Sequence, residues 1–380
     1  CIAVNRMTGT TIPTPAGRPC ELFGEDVFSE LRSCAQVPDD FVNDGWSLEK
    51  LQHGGGKGGS QMAKVGTSYI VKELSKGDHE SLRRVTASYG KHVRGGATLL
   101  CPIYLHFQDK DTGRFFFAMR NSIGNGPFAA LYDLKGCADD KLIEEDGKHI
   151  PAIHKRIWNI GMWFGKSKWT PARRRYYAGK VKARASQIPL LSDQRSQCLQ
   201  AMERDTAWLR THRLMDYSFL VAIKVGTPGT SATGGFGPST LGHRPMVYRN
   251  SEGQEVAVFV AIIDFLQTWT TGKRIARCIK FAEFNKATVP PGDYARRFNR
   301  HFAQHLVEVA GVEAGSIPQP DKKVMGATAP PAGDDGAEGL PEDRITSRPI
   351  PEEGIRAPVP VLNLPTVPDE LGPARAPLSL

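Results

Sequence analysis

The sequence has few cysteines, and they form no recognisable ligand pair. The seven cysteines are scattered and odd in number, and no two are spaced as Cys-x-x-Cys. This usage argues against a structural zinc site and against a disulfide-stapled secreted domain. We therefore expect a reducing compartment and a cytoplasmic protein.

A long apolar segment is also absent. No run of about 18 apolar residues occurs, so no transmembrane helix is predicted. The chain begins at Cys1, without a Met and without the apolar stretch of a signal peptide. We expect it to be a fragment of a longer protein.

Charge is unevenly distributed along the chain. Residues 313–380 carry eleven acidic and six basic residues, so the net charge of +9 leaves +14 on residues 1–312. A basic folded part predicts an anionic partner, which could be nucleic acid, a membrane surface or a phosphorylated small molecule. A basic soluble domain without such a partner is the alternative.

Composition divides the chain into three segments. Residues 1–24 are rich in Gly, Pro and Thr and are predicted to be irregular. Residues 25–312 form the predicted folded domain, interrupted by a flexible Gly/Ser/Thr/Pro-rich insertion at 225–255. Residues 313–380 hold 13 of the 27 prolines and are predicted to be a disordered tail.

Periodicity within the folded domain predicts both helices and strands. Apolar runs of strand length alternate with segments whose apolar residues recur every three or four positions. The predicted elements are a strand at 69–72, a helix at 78–93, a hairpin of 103–107 with 115–119, a helix at 192–213, β-segments at 219–223 and 256–266, and a final helix at 294–309.

A glycine-rich loop precedes a lysine that lies within an apolar strand. The loop, residues 54–60, lets backbone N–H groups approach phosphate oxygens. Lys72 follows in the strand and needs an anion, for which a nucleotide phosphate is suitable. Glu80 on the next helix could hold the Lys72 ammonium. The alternatives are an ordinary flexible loop, an edge-strand lysine and a solvated helix charge.

Two aspartates interrupt apolar segments later in the chain. Asp216 lies in Leu214–Leu220 and Asp264 in Val260–Gln267. A carboxylate in such a segment is costly unless it is hydrogen-bonded or binds a metal. A structural cap would explain one of them; two, after a glycine loop and a strand lysine, favour a base and a Mg²⁺ ligand for phosphoryl transfer.

Three short motifs, in this order, resemble the phosphatidylinositol-phosphate kinase family. They are Tyr132-Asp133-Leu134-Lys135-Gly136, Met215-Asp216-Tyr217-Ser218 and Ile263-Asp264-Phe265-Leu266-Gln267. The resemblance runs from about Val27 to Val309. It implies an α+β, protein-kinase-like two-lobed catalytic domain with antiparallel sheets and helices, and a lipid kinase that transfers the ATP γ-phosphate to a phosphatidylinositol monophosphate.

The resemblance also implies roles for individual residues, with ATP and Mg²⁺ as cofactors. Asp216 is the expected catalytic aspartate, Lys72 the ATP-phosphate lysine, and Asp264 the Mg²⁺ ligand. The remaining expected nucleotide-binding residues are Gly56, Lys57, Gly59, Ser60, Arg120 and Asn121. The expected substrate-binding residues are Lys135, Lys273, Arg274 and Lys280. Ala276 and the Arg120-Asn121 hinge favour a 5-phosphate substrate over a 4-phosphate substrate.

A basic, aromatic stretch follows the first motif. Residues 163–184 hold eight basic residues, no acidic residue and five aromatic residues. Basic side chains attract anionic headgroups and aromatic rings favour the bilayer interface. We expect peripheral docking on the cytosolic face of membranes. RNA binding and a solvated loop are the alternatives, and no nucleic-acid partner is expected for the whole chain.

Departures from the family pattern keep rival functions open. Gly58 and Cys137 stand where the family has Ser, and residues 178–188 lack its Leu-Lys-Asp-x-Asp-Phe segment. These favour, as the alternative, a non-catalytic or weakly active phosphoinositide-binding scaffold. A soluble inositol-phosphate kinase is another rival, whereas the absence of His-Arg-Asp and Asp-Phe-Gly argues against a protein kinase. A homodimer is a further expectation.

Overall fold

Two seven-stranded sheets, each with helices packed nearby, organise the folded part of the chain. The computed structural model describes residues 11–13, 19–42, 50–53, 61–153, 169–226, 245–269 and 289–313. All of them belong to the first of two units, Cys1–Pro318. Within these residues no helix is long and apolar enough to cross a bilayer. The predicted α+β class is confirmed.

The first sheet has the strand order β1-β2-β6-β7-β5-β4-β3, and every neighbouring pair is antiparallel. Its strands are β1 (Thr11–Pro13), β2 (Pro19–Leu22), β3 (Gln52–His53), β4 (Gln61–Val65), β5 (Tyr69–Leu74), β6 (Ile103–Asp109) and β7 (Phe115–Arg120). Helices α1 (Glu25–Ala35) and α2 (Lys76–Arg94) pack against it. Tyr89, Tyr104 and Phe116 are fully buried in this layer.

The second sheet is also antiparallel, with the order β10-β9-β8-β12-β14-β13-β16. Its strands are β8 (Ala130–Leu134), β9 (Lys141–Glu145), β10 (Lys148–His149), β12 (Ser218–Val225), β13 (Met246–Arg249), β14 (Glu255–Ile263) and β16 (Val312–Glu313). Beside it lie α3 (Pro171–Arg184), α4 (Ser192–Thr211) and α5 (Pro291–His305). Two short strands, β11 (Ile188–Leu190) and β15 (Leu306–Glu308), pair in parallel.

Local sequence explains where the principal helices begin and which face they bury. The Ser75 hydroxyl accepts a hydrogen bond from the Asp78 amide at 3.2 Å, which caps the start of α2. On α5, Phe298 and Phe302 recur four residues apart and pack on Phe219 of β12, with ring centroids 6.4 and 4.7 Å away. The predicted helices at 78–93 and 192–213 and the predicted hairpin are confirmed.

Three sequence predictions are corrected by tertiary pairing. Residues 1–24 are not wholly irregular, because β1 and β2 lie there and join the edge of β6. The predicted insertion 225–255 contains β13, which pairs with β14 and β16. The final helix ends at His305, where the chain becomes strand β15. Residues 227–244 and 314–380 lie outside the described residues, so flexibility of the insertion and disorder of the tail stay predictions.

A buried carboxylate ties the two sheets together. Asp205 on α4 has no exposed surface, and it accepts hydrogen bonds from His92, Thr98 and the Leu99 amide at 2.7, 2.9 and 2.6 Å. These donors lie on α2 and on the segment that leads into β6. That same segment bridges to the second sheet, since the Cys101 amide donates to the Ile262 carbonyl at 2.9 Å. Asp205 therefore fixes the connection between the two layers.

Replacing Asp205 with Ala should destabilise the protein by about 3–5 kcal/mol, because three buried donors would lose their acceptor. Urea unfolding followed by circular dichroism measures the change. Glu203→Ala is the matched control, since Glu203 is exposed on the same helix, and its effect should stay within about 0.5 kcal/mol. Equal, small effects of the two substitutions would show that Asp205 does not hold the layers together.

Candidate active site

The two predicted aspartates lie at the same end of the second sheet. Asp216 precedes β12 and Asp264 directly follows β14, and these strands pair with Ser218 opposite Ile263. Both aspartates have positive backbone φ angles, 64° and 58°. Residues other than glycine seldom adopt this conformation, although Asp tolerates it better than most. The strand ends therefore turn sharply and leave both carboxylates at one edge.

Lys72 joins the first sheet to this edge. It lies in β5 and its ammonium donates to the Asp264 carboxylate, 192 positions away in sequence. The sequence predicts that this strand lysine needs an anionic partner, and in the structure that partner is Asp264. Glu80, the partner considered from sequence, is exposed on α2 instead. A nucleotide phosphate could take the same ammonium, since it offers the same charge.

Lys135 makes the corresponding contact with the other aspartate. It follows β8, and its ammonium donates to the Asp216 side chain at 2.6 Å and to the Asp216 carbonyl at 2.7 Å. Burial lowers the pKa of Lys135, but the charges of Asp216 and Asp133 outweigh burial and hold it above the usual value. Lys135 is therefore a charged group that fixes the orientation of Asp216.

A second lysine–carboxylate pair lies behind this one and was missed from the sequence. Lys141 on β9 donates to Asp133 on β8 at 3.1 Å. Burial raises the pKa of Asp133, but Lys141, Lys135 and a hydrogen bond from Ser218 lower it further, so the group is ionised. A carboxylate between Tyr132 and Leu134 was the available signal, and it was read only as part of a motif.

The turn that carries Lys135 is held by the following aspartate. The Asp140 carboxylate accepts from the Lys135 amide at 2.6 Å and from the Cys137 amide at 3.3 Å. Gly136 has a φ of 67°, and a Cβ there would lie 3.0 Å from the Cβ of His301 on α5. A side chain at Gly136 would thus meet both backbone strain and a close contact.

Helix α5 supports the residue next to Asp216. The Tyr294 hydroxyl donates to the carbonyl of Tyr217, and the two rings meet edge to face with centroids 4.6 Å apart. The Tyr217 ring also contacts Phe298 at 4.9 Å. Because Tyr217 directly follows Asp216, these contacts restrict the backbone that orients the Asp216 carboxylate.

The predicted hinge residues lie at the end of β7. Asn121 is buried, and its side-chain amide donates to the carbonyls of Thr67 and Gly124 at 2.9 and 3.0 Å. The Arg120 carbonyl accepts a contact from the Cys101 thiol at 3.3 Å. Asn121 thus holds two turns together, and contact of Arg120 and Asn121 with a nucleotide stays a prediction.

Other predicted site residues lie outside the described residues. The phosphate-loop positions are Gly56, Lys57, Gly59 and Ser60, and the activation-segment positions are Lys273, Arg274, Ala276 and Lys280. Of the predicted set, the structure brings together Lys72, Lys135, Asp216 and Asp264.

The carboxylates at this edge suit Mg²⁺ bound together with phosphates. Within the described ranges, no cluster of three or more His, Cys, Asp or Glu side chains could hold a metal alone. Mg²⁺ commonly takes one or two carboxylates and completes its shell with phosphates and water. Asp264, with its side chain 46% exposed, offers such a carboxylate at this edge, whereas Asp216, at 30%, is held by Lys135.

Two antiparallel sheets that meet at paired lysines and aspartates define a protein-kinase-like catalytic domain. A family model described as phosphatidylinositol-4-phosphate 5-kinase matches residues 47–243 and 231–305. The chain therefore belongs to the phosphatidylinositol-4-phosphate 5-kinase family.

Two curated relatives are similar to the chain at low identity. It is 21% identical over 313 residues, 76% of its length, to 1-phosphatidylinositol 3-phosphate 5-kinase FAB1 of Saccharomyces cerevisiae. It is 28% identical over 138 residues, 30% of its length, to phosphatidylinositol 4-phosphate 5-kinase-like protein 1 of Mus musculus. The matched region spans 12% of the yeast protein and 35% of the mouse protein.

Gly136→Ala should destabilise the protein more than Gly253→Ala, as measured by urea unfolding. Both glycines have positive φ, 67° and 74°, so each substitution carries about 1–2 kcal/mol of backbone strain. Only at Gly136 would the methyl group also press on His301, adding about 1–3 kcal/mol. Equal losses for the two variants would contradict the packing of α5 on the Lys135 turn.

Proposed function

We propose that the protein is a lipid kinase that transfers the γ-phosphate of ATP to the inositol ring of a phosphatidylinositol monophosphate, giving a bisphosphate. The observation that carries the proposal is the juxtaposition of Asp216 and Asp264 at one sheet edge, each paired with its own lysine: Asp264 with Lys72 of β5, and Asp216 with Lys135, which directly follows β8. Phosphoryl transfer requires such positioned carboxylates and ammonium groups rather than a covalent nucleophile.

Each charged group then has a defined role. Lys72, together with the phosphate loop at 54–60, holds the ATP phosphates. Asp264 would hold Mg²⁺, which when bound neutralises charge on the phosphates. Asp216 orients the inositol hydroxyl and accepts its proton. Lys135 fixes the Asp216 carboxylate by its contacts at 2.6 and 2.7 Å and offers positive charge beside the transferred phosphate.

The proposal also specifies which hydroxyl of the inositol ring is phosphorylated. The yeast relative is named a 5-kinase and the mouse relative a 5-kinase-like protein. These names favour the 5-hydroxyl as acceptor over the 4-hydroxyl that Ala276 favoured. Lys273, Arg274 and Lys280 are proposed to bind the substrate phosphates. Since the substrate is a membrane lipid, we place the protein peripherally on the cytosolic face of membranes.

A non-catalytic phosphoinositide-binding scaffold is the second candidate. The specific observation in its favour is that residues 178–188, which form the end of α3 and the start of β11, carry no acidic residue. The family segment expected there contains two aspartates. A scaffold would bind lipid and nucleotide without turnover.

Radiolabelled ATP and vesicles that each carry one phosphatidylinositol monophosphate isomer test the proposal. Labelled bisphosphate from one isomer, with positional analysis of the product, is the expected result and identifies the acceptor hydroxyl. No product from any isomer, with a folded protein that still binds the vesicles, would support the scaffold.

Asp216→Asn should lower kcat by about 10²–10⁴-fold, because it removes the group that accepts the hydroxyl proton. ATP affinity, measured by calorimetry, should change little. Asp146→Asn is the control: Asp146 is exposed in the β9–β10 turn and also has positive φ, 49°. Wild-type turnover by Asp216→Asn would remove Asp216 from the mechanism.

A further inference from the structure

Helix α3 has one face packed on the second sheet and the opposite face open. It lies on β9, where Gly179 faces Leu142 and Ile150 so closely that a Cβ would meet them at 3.5 Å. Ala183 is fully buried on the same side. The helix holds six basic residues and no acidic residue. Its inner face is a packing surface that also holds Arg173 and Lys180, and the other four basic residues are exposed.

The exposed residues recur three and four positions apart, so they form a continuous strip along the helix. We call Arg174, Arg175, Ala178, Val181 and Lys182 the outer face of α3; all five are exposed. The Lys182 ammonium also donates to the Glu145 carboxylate on β9 at 2.6 Å, in a pair that stays open to solvent. Val181 is 70% exposed, the highest value among the large apolar side chains that the structure describes as exposed. The outer face thus has a small aliphatic centre with basic groups beside it.

The aromatic side chains of this region that the structure describes pack beside basic side chains, and their contact with a membrane stays a prediction. The Arg173 guanidinium lies 4.5 Å from the Trp169 ring centroid and 5.8 Å from that of Tyr177. The Lys180 ammonium lies 5.7 Å from that of Tyr176. These rings are partly buried against basic partners. These contacts stiffen the helix. Trp163 and Phe164 lie outside the described residues.

The outer face is also close to the candidate active site. The Lys180 ammonium donates to the Asp140 carbonyl at 3.2 Å, and the Asp140 carboxylate holds the Lys135 amide at 2.6 Å. Only the width of one helix, about 10 Å, separates the outer face from that turn. Helix α3 is therefore joined by hydrogen bonds to the turn that carries the lysine in contact with Asp216.

We infer that the outer face of α3 is a docking surface for an anionic lipid bilayer, an inference that deepens the proposed function by naming the element that brings its site to the lipid. Arg174, Arg175 and Lys182 match the negative headgroups, each contributing attraction near the surface. Ala178 and Val181 enter the interfacial layer without an unpaired polar group. A single-stranded nucleic acid would instead require exposed rings for base stacking, whereas both tyrosines of α3 are partly buried and no aromatic residue belongs to the outer face.

Sedimentation with phosphatidylcholine vesicles, with and without phosphatidylserine, tests the inference. The triple variant Arg174→Gln/Arg175→Gln/Lys182→Gln should bind the phosphatidylserine vesicles on the order of 100-fold more weakly than wild type. The matched control Lys76→Gln/Lys91→Gln/Arg249→Gln removes the same charge from exposed positions on α2 and β13 and should bind nearly as wild type. Val181→Asp should weaken binding while leaving the basic residues intact.

Equal losses of vesicle binding in the two triple variants would show that only the net charge of the protein matters, and would overturn the inference. Wild-type vesicle binding by the α3 variant would also overturn it. Tighter binding of wild type to single-stranded RNA than to phosphatidylserine vesicles, lost in the same variant, would assign the face to nucleic acid instead.

Phosphorylation assays separate this inference from the proposed function. With lipid in detergent micelles, where no bilayer is present, the α3 variant should keep its turnover, whereas on vesicles it should lose it. If wild type phosphorylates nothing but the α3 variant loses vesicle binding, the lipid-kinase proposal fails and the docking surface stands. Loss of turnover in micelles as well would indicate damage to the site and contradict a docking role.

Discussion

The pairing of β12 with β14 is the constraint on which the candidate site depends. The register that sets Ser218 opposite Ile263 places Asp216, two positions before β12, and Asp264, directly after β14, at one edge. A slip of β14 by one residue would turn its side chains to the opposite face. The apolar run of β14, buried from Val256 to Ile262, makes that slip costly, so burial of the sheet also fixes the two carboxylates.

Around that edge, lysines and carboxylates alternate in pairs. Lys72 contacts Asp264, Lys135 contacts Asp216, and Lys141 contacts Asp133. Removing one member of a partly buried pair leaves an uncompensated charge, which is more destabilising than losing the pair as a unit. Each pair holds the two side chains in a fixed orientation. Phosphates arriving with a cation can then replace carboxylate contacts with equivalent ones.

Sequence reasoning succeeded where the signal was local. The spacing of Leu82, Val85 and Tyr89 predicted α2, and a charge within an apolar run marked Asp216 and Asp264.

Sequence reasoning failed where the interacting residues are distant in the chain. Lys72 and Asp264 are 192 positions apart, so the nearer Glu80 was considered first. Strands β1 and β2 exist because β6 offers an edge, which no feature of residues 1–24 reveals. Composition alone predicted exposed rings at Trp169, Tyr176 and Tyr177. Each of these rings is instead partly buried beside Arg173 or Lys180.

The placement of Asp264 as the cation ligand is the central claim, and the Mg²⁺ dependence of ATP affinity tests it most directly. Calorimetric titration of ATP, with and without Mg²⁺, would be made on wild type, Asp216→Asn and Asp264→Asn. If Asp264 binds the cation, Mg²⁺ should tighten ATP binding to wild type and to Asp216→Asn but not to Asp264→Asn. Undiminished tightening by Mg²⁺ in Asp264→Asn would contradict it.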